Sequence, residues 1–73
     1  MELEMILCKA FVETIRPPTP HRPGDFEVVV MGEQPHDYMR TYRVKAKDDS
    51  MAAREGIDRF VDEIGALVAG ADT

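Results

Sequence analysis

Four of the chain's five prolines fall within one eight-residue stretch, Arg16-Pro17-Pro18-Thr19-Pro20-His21-Arg22-Pro23. Proline has a fixed φ and no amide hydrogen, so this stretch favours extended polyproline conformations and resists both helix and ladder formation. The 73-residue chain is thereby divided into an apolar stretch from about Leu3 to Ile15, a stiff link from Arg16 to Asp25, and a remainder in which a strand pair and one helix are legible. A chain this short holds one domain and hides only about 60% of its unfolded surface on folding. That domain is expected over residues 1–70, with the proline-rich loop at 16–25 and a disordered tail at 71–73. No internal repeat is present, and no apolar run approaches the length of a membrane span.

The helix is the clearest element. Asp48-Asp49-Ser50 offers residues suited to an N-cap, Asp49 or Ser50 being the expected one, and carboxylates there complement the positive end of the helix dipole. Beyond it Ala53, Ile57, Phe60, Val61, Ile64, Leu67 and Val68 recur at helical spacing, while Arg54, Glu55, Asp58, Arg59, Asp62 and Glu63 fall on the other side. This is the pattern of an amphipathic helix lying on an apolar surface. Gly56 and Gly65 weaken its interior and point to close approach of a sheet, and the helix is expected to fray near Ala69 or Gly70.

Phe26 to Met31 reads as a strand: its three consecutive valines favour the pleat, and Pro23-Gly24-Asp25 supplies the turn before it. Gly32 to Asp37, with Pro35, forms the hairpin loop, and Tyr38 to Lys47 is the second strand. Its even positions Tyr38, Tyr42, Val44 and Ala46 predict a buried face, and Thr41, Arg43, Lys45 and Lys47 a basic one. The first segment fits either of two patterns. Leu3, Ile6, Leu7, Ala10, Phe11 and Ile15 make a helical stripe, yet the β-branched Ile6, Val12, Thr14 and Ile15 and the following Pro17-Pro18 favour a strand. A hairpin alone is too thin to bury the helix, so the expected fold is α+β, a three-stranded antiparallel sheet with one C-terminal amphipathic helix on one face, in the order β-β-β-α.

The net charge of -5 repels nucleic acid and anionic membrane at long range, and all of it resides after Lys47, where two arginines face seven acids. The expected molecule is therefore bipolar, with an acidic helix on one side and a basic strand stripe on the other. A single cysteine, Cys8, excludes an intramolecular disulfide, and an acidic N-terminus unlike a targeting peptide makes the cytoplasm the simplest compartment.

Chemistry-bearing residues are sparse. Cys8, His21 and His36 lie in three segments without metal-ligand spacing, so no metal and no cofactor are expected. Cys8 with a histidine is the one conceivable nucleophile–base pair, but its apolar surroundings raise the thiol pKa, and the chain is expected not to be an enzyme. Asp48 and Asp49 lack the alternating spacing of a calcium loop. The basic residues Arg16, His21, Arg22, Arg40, Arg43, Lys45 and Lys47 are the candidate partner-binding set, suited to an acidic patch on another protein. An alternative is the helix face Glu55, Asp58, Asp62 and Glu63, as an imitation of a nucleic-acid backbone. The strand-strand-helix layout resembles the second half of a double-stranded RNA-binding domain, but Asp48-Asp49-Ser50 stands where that domain begins its helix with a basic cluster, so direct nucleic-acid binding is not expected.

A strand, a proline-rich link ending in Pro23-Gly24-x-x-Glu27-Val28-x-Val30, a second strand, and Ala46-x-Asp48-x-x-x-Ala52-Ala53 opening a helix make a layout similar to small phage-encoded host-takeover proteins. These include regulators that bind the host's bacterial RNA polymerase, and anti-CRISPR proteins. The resemblance covers Lys9 to Ile64 by layout, without a motif that transfers contact residues. It implies a non-enzymatic regulator docking on polymerase subunits, by initiation block, sigma displacement or altered termination, in the host cytoplasm. The other expectations are an anti-CRISPR inhibitor or an antitoxin- or immunity-like module, with the chain a monomer or weak dimer.

Overall fold

The strands β1 (Cys8–Arg16), β2 (Gly24–Gly32) and β3 (Met39–Ala46) form an antiparallel sheet in chain order, and α1 (Asp49–Ala71) packs on one face of it. The structure is a computed structural model that describes residues 7–34 and 37–71, with the side chains of 68, 69 and 71 left aside. The expected β-β-β-α fold is thus the observed one. The first segment is a strand over Cys8–Arg16, and the expected strand residues before Leu7 lie outside the described residues. Alternation decides this choice. Cys8, Ala10 and Val12 pack half-buried against the core, and Ala10 and Val12 stand opposite Val30 and Val28 of β2.

The core is built from Phe26, Val28 and Val30 of β2, Val44 and Ala46 of β3, and Ala52, Phe60 and Ile64 of α1. On the helix the buried positions are therefore 52, 56, 60 and 64, one every four residues. Periodicity alone suggested a broader stripe. Val61 and Leu67, expected on the inner side, are exposed, because the three-stranded sheet is too narrow to cover more than one line of helix side chains. The small residues on that line bring the helix backbone close to the sheet. A Cβ added at Gly56 would lie 2.5 Å from Val28 Cγ1 and 3.0 Å from its Cβ.

Two connections differ from expectation. The helix is capped by Asp48, whose Oδ1 accepts the Met51 amide at 2.8 Å, rather than by Asp49 or Ser50. The proline-rich link resists a ladder only in part. Thr19 and Arg22 exchange both backbone hydrogen bonds, at 2.9 and 3.3 Å, across a tight turn at Pro20-His21. Gly24, expected in the turn before β2, is instead its first residue. The link crosses close over it, and a Cβ there would meet the Arg16 carbonyl oxygen at 2.7 Å and Pro18 N at 2.8 Å. At its other end α1 continues to Ala71, past the expected fraying point, and residues 72–73 lie outside the described set. No helix among the described residues is long and apolar enough to cross a membrane.

Candidate functional site

The molecule measures 46 × 18 × 18 Å, which is one sheet and one helix thick. Among the described residues, the sheet face opposite α1 therefore has no layer upon it. Strand register arranges its side chains in four rows across β1, β2 and β3: Lys9, Met31, Met39; Phe11, Val29, Thr41; Glu13, Glu27, Arg43; and Arg16, Asp25, Lys45. Arg16 joins the last row through a β-bulge. Thr14 pairs with Phe26 and Arg16 with Asp25, so Ile15 is the extra residue and the alternation of β1 is reset after it.

The two halves of this face differ in chemistry. Phe11, Met31 and Met39 are 57%, 45% and 58% exposed, and with Val29 and nearby Leu7 they form a contiguous apolar surface. Single exposed apolar side chains are ordinary in a folded protein, whereas a cluster built from neighbouring rows is a candidate contact surface. The other half is charged and balanced. Arg43 Nε lies 3.3 Å from Glu27 Oε2, and Arg16 Nε lies 3.6 Å from Asp25 Oδ2. The basic stripe expected along β3 is real as a strand pattern, but β1 and β2 supply Glu13, Glu27 and Asp25 to the same rows, so the face as a whole is not basic. Reading one strand could not reveal the charges placed beside it by pairing. Ile15, Arg16, Asp25, Phe26, Arg43, Val44 and Lys45 line a shallow cleft of about 390 Å³ at this charged end.

The seven candidate residues fall into three places. Arg16, Arg43 and Lys45 share the cleft just described. His21, Arg22 and Lys47 line a second cleft, also of about 390 Å³, with Thr19, Pro20 and Pro23. Arg40 belongs to neither. It lies on the helix side of the sheet, its Nε 3.4 Å from Glu63 Oε1 and its guanidinium 5.8 Å from the centroid of the Tyr38 ring. Glu63 also accepts the Tyr42 hydroxyl at 2.6 Å, so Arg40, Tyr42 and Glu63 fasten α1 to β3. Of the acidic helix face, Glu63 is thus engaged with the sheet, and Glu55 Oε1 lies 3.2 Å from Arg59 Nη2. Asp58 and Asp62 remain exposed, so this face presents less charge outward than the sequence suggests.

The fastening of Tyr42 has a measurable consequence. Burial, the hydrogen bond to Glu63 and the Glu63 charge push the Tyr42 hydroxyl up to about 12. A proton held more tightly in the folded state contributes stability at pH values below the ordinary tyrosine range, and that contribution is lost as pH rises through about 10 to 12. In a spectrophotometric titration of tyrosinate, Glu63→Gln is expected to move one tyrosine to lower pH and to reduce the alkaline loss of stability.

Cys8 opens β1, whereas His21 lies beyond the strand's other end, so these two do not form a nucleophile–base pair. Burial and then the charge of Glu33 raise the Cys8 thiol above its ordinary value, which disfavours the thiolate. His36 lies outside the described residues. Sequence reasoning passed over Phe11, Val29, Met31 and Met39 as functional residues. Alternation in β1 and β2 does carry a signal, because both faces hold apolar residues, a feature otherwise typical of a sheet covered on both sides.

Compared with known protein families, curated proteins and solved structures, the chain matches none.

Proposed function

We propose that this chain is a non-catalytic protein-binding regulator that docks through the open face of its sheet, with bacterial RNA polymerase as its partner and inhibition or retuning of transcription as the outcome. The single observation that supports docking on this face is its apolar half, Phe11, Val29, Met31 and Met39, set side by side by register on a face that no other layer of the described residues covers. Aromatic and methionine residues are enriched at the centres of interfaces. Beyond that half, Lys45 forms no ion pair among the described residues. The partner segment that fits is apolar, with an acidic residue placed to reach Lys45. The polymerase itself is suggested by the likeness in layout to phage regulators, and a phage origin belongs to the same reading.

The test is retention of purified bacterial RNA polymerase on the immobilised chain at low and moderate salt, alongside mass spectrometry of proteins captured from bacterial lysate. Saturable retention of polymerase is expected, together with a loss of about tenfold or more in affinity for Phe11→Asp or Met39→Asp. Lys45→Glu is expected to weaken binding chiefly at low salt. Absence of polymerase retention overturns the assignment of partner. Specific recovery of a CRISPR effector complex or a toxin ribonuclease would put the anti-CRISPR or antitoxin-like reading in its place. Retention unaffected by Phe11→Asp and Met39→Asp would reject the open face.

A further inference from the structure

The cleft at the proline-rich turn has a chemistry of its own, independent of the open sheet face. Its polar lining comes from Thr19, His21, Arg22 and Lys47, and no acidic residue lines it. Four other cations of the sheet stand beside acids, Lys9 by Glu33, Arg16 by Asp25, Arg40 by Glu63 and Arg43 by Glu27, and Lys45 lies outside this cleft without such a pair among the described residues. Arg22 and Lys47 form no ion pair among the described residues. The acid next to Lys47 in sequence, Asp48, is occupied in capping α1. Two cationic side chains thus converge on one cleft in a chain whose net charge is -5.

The turn also orients a neutral donor. Thr19 Oγ1 accepts the amide hydrogens of His21 and Arg22 at 3.3 and 3.0 Å. A hydroxyl oxygen that accepts two hydrogen bonds has both lone pairs engaged and retains its own proton as a donor. The reciprocal Thr19–Arg22 backbone bonds, with Pro20 inside the turn and Pro23 after it, hold this geometry at low entropic cost.

We propose that this cleft binds a phosphate dianion, either inorganic phosphate or the terminal group of a phosphate monoester. Arg22 supplies a planar pair of donors, Lys47 a second positive charge and the Thr19 hydroxyl a neutral donor, with the His21 ring at the rim. Two fixed positive charges match a dianion better than a lone carboxylate, and a tetrahedral oxyanion accepts donors arriving from several directions.

The experiment is an amide-resolved NMR titration of the full chain with inorganic phosphate at constant ionic strength, using sodium chloride as the control salt and phenyl phosphate as the monoester arm. Saturable shifts confined to Thr19, His21, Arg22 and Lys47 are expected, with affinity reduced about tenfold or more in the Arg22→Gln, Lys47→Gln variant, the loss of one charge-assisted hydrogen bond being enough for that factor. Both substitutions fall on exposed side chains, so an unchanged spectrum elsewhere verifies the fold. Saturation by phenyl phosphate at least as tight as by phosphate assigns the site to monoesters, and tighter binding of phosphate assigns it to the free ion. Shifts equal in chloride, spread over Arg54 and Arg59 as well, or unchanged in the double variant would overturn the proposal. Because Phe11 and Met39 lie on the open sheet face and not in this cleft, Phe11→Asp and Met39→Asp leave this titration unaltered, and the two proposals fail separately.

Discussion

Phe60→Ala is expected to abolish cooperative unfolding, leaving no sigmoidal thermal transition by circular dichroism. Phe60 is fully buried between α1 and the sheet, in contact with the cluster that includes Phe26, Val28 and Val30. Truncating a buried phenylalanine removes its transfer energy and leaves a cavity, a cost of about 3–5 kcal/mol. A single core in a domain of this size supplies rarely more than about 3–5 kcal/mol of net stability, so the substitution consumes all of it. Leu67→Ala serves as the control. Leu67 is also an apolar residue on α1, yet it is 45% exposed, and its truncation is expected to cost less than about 1 kcal/mol. Equal losses at the two positions would mean that the helix is rotated from the orientation described.

Gly56→Ala is expected to destabilise the protein even though alanine is the better helix former. In an exposed helix this exchange gains about 1 kcal/mol. Here the new methyl would lie 2.5 Å from Cγ1 of Val28, a fully buried β-branched side chain whose rotamer is held by its strand neighbours. Overpacking of a close-packed core costs about 1–3 kcal/mol and at times more, and a contact this short belongs at the upper end of that range. The expected net loss is about 2 kcal/mol, or roughly 8–16 °C in Tm for a domain of this size. Combining it with Val28→Ala provides the decisive measurement. The second change removes the opposing methyl groups, so the double variant should lose less stability than the sum of the single losses. Strict additivity would place Gly56 away from Val28.

The same close approach shapes the surface available for binding. With a narrow sheet and a helix drawn against it by Ala52 and Gly56, one face is satisfied by a single helix. The apolar residues of β1 and β2 that alternate onto the other face have no partner layer within the described chain. A third such layer is what an interacting protein would supply, and Phe11, Met31 and Met39 are the side chains it would meet first.

The sequence by itself determined the later strand pair and the helix that follows it, the limits of the helix to within a few residues, and the division made by the proline cluster, because propensity, capping and hydrophobic period act over a few neighbouring residues; the first segment fits both periods, and only its pairing with β2 made it a strand. It also determined the alternation within β3 that buries Val44 and Ala46. Only the tertiary structure decided which charges cancel. Arg43 was legible as basic, but its neutralisation by Glu27 depends on a pairing between residues far apart in sequence. The bulge at Ile15, which turns Arg16 toward Asp25, and the crossing of the link over Gly24 arise likewise from the fit of one strand to the next. Tertiary packing also chose the narrow line of Ala52, Gly56, Phe60 and Ile64 from a wider apolar stripe, since a helix presents several faces of similar hydrophobicity and the width of the surface beneath it selects among them.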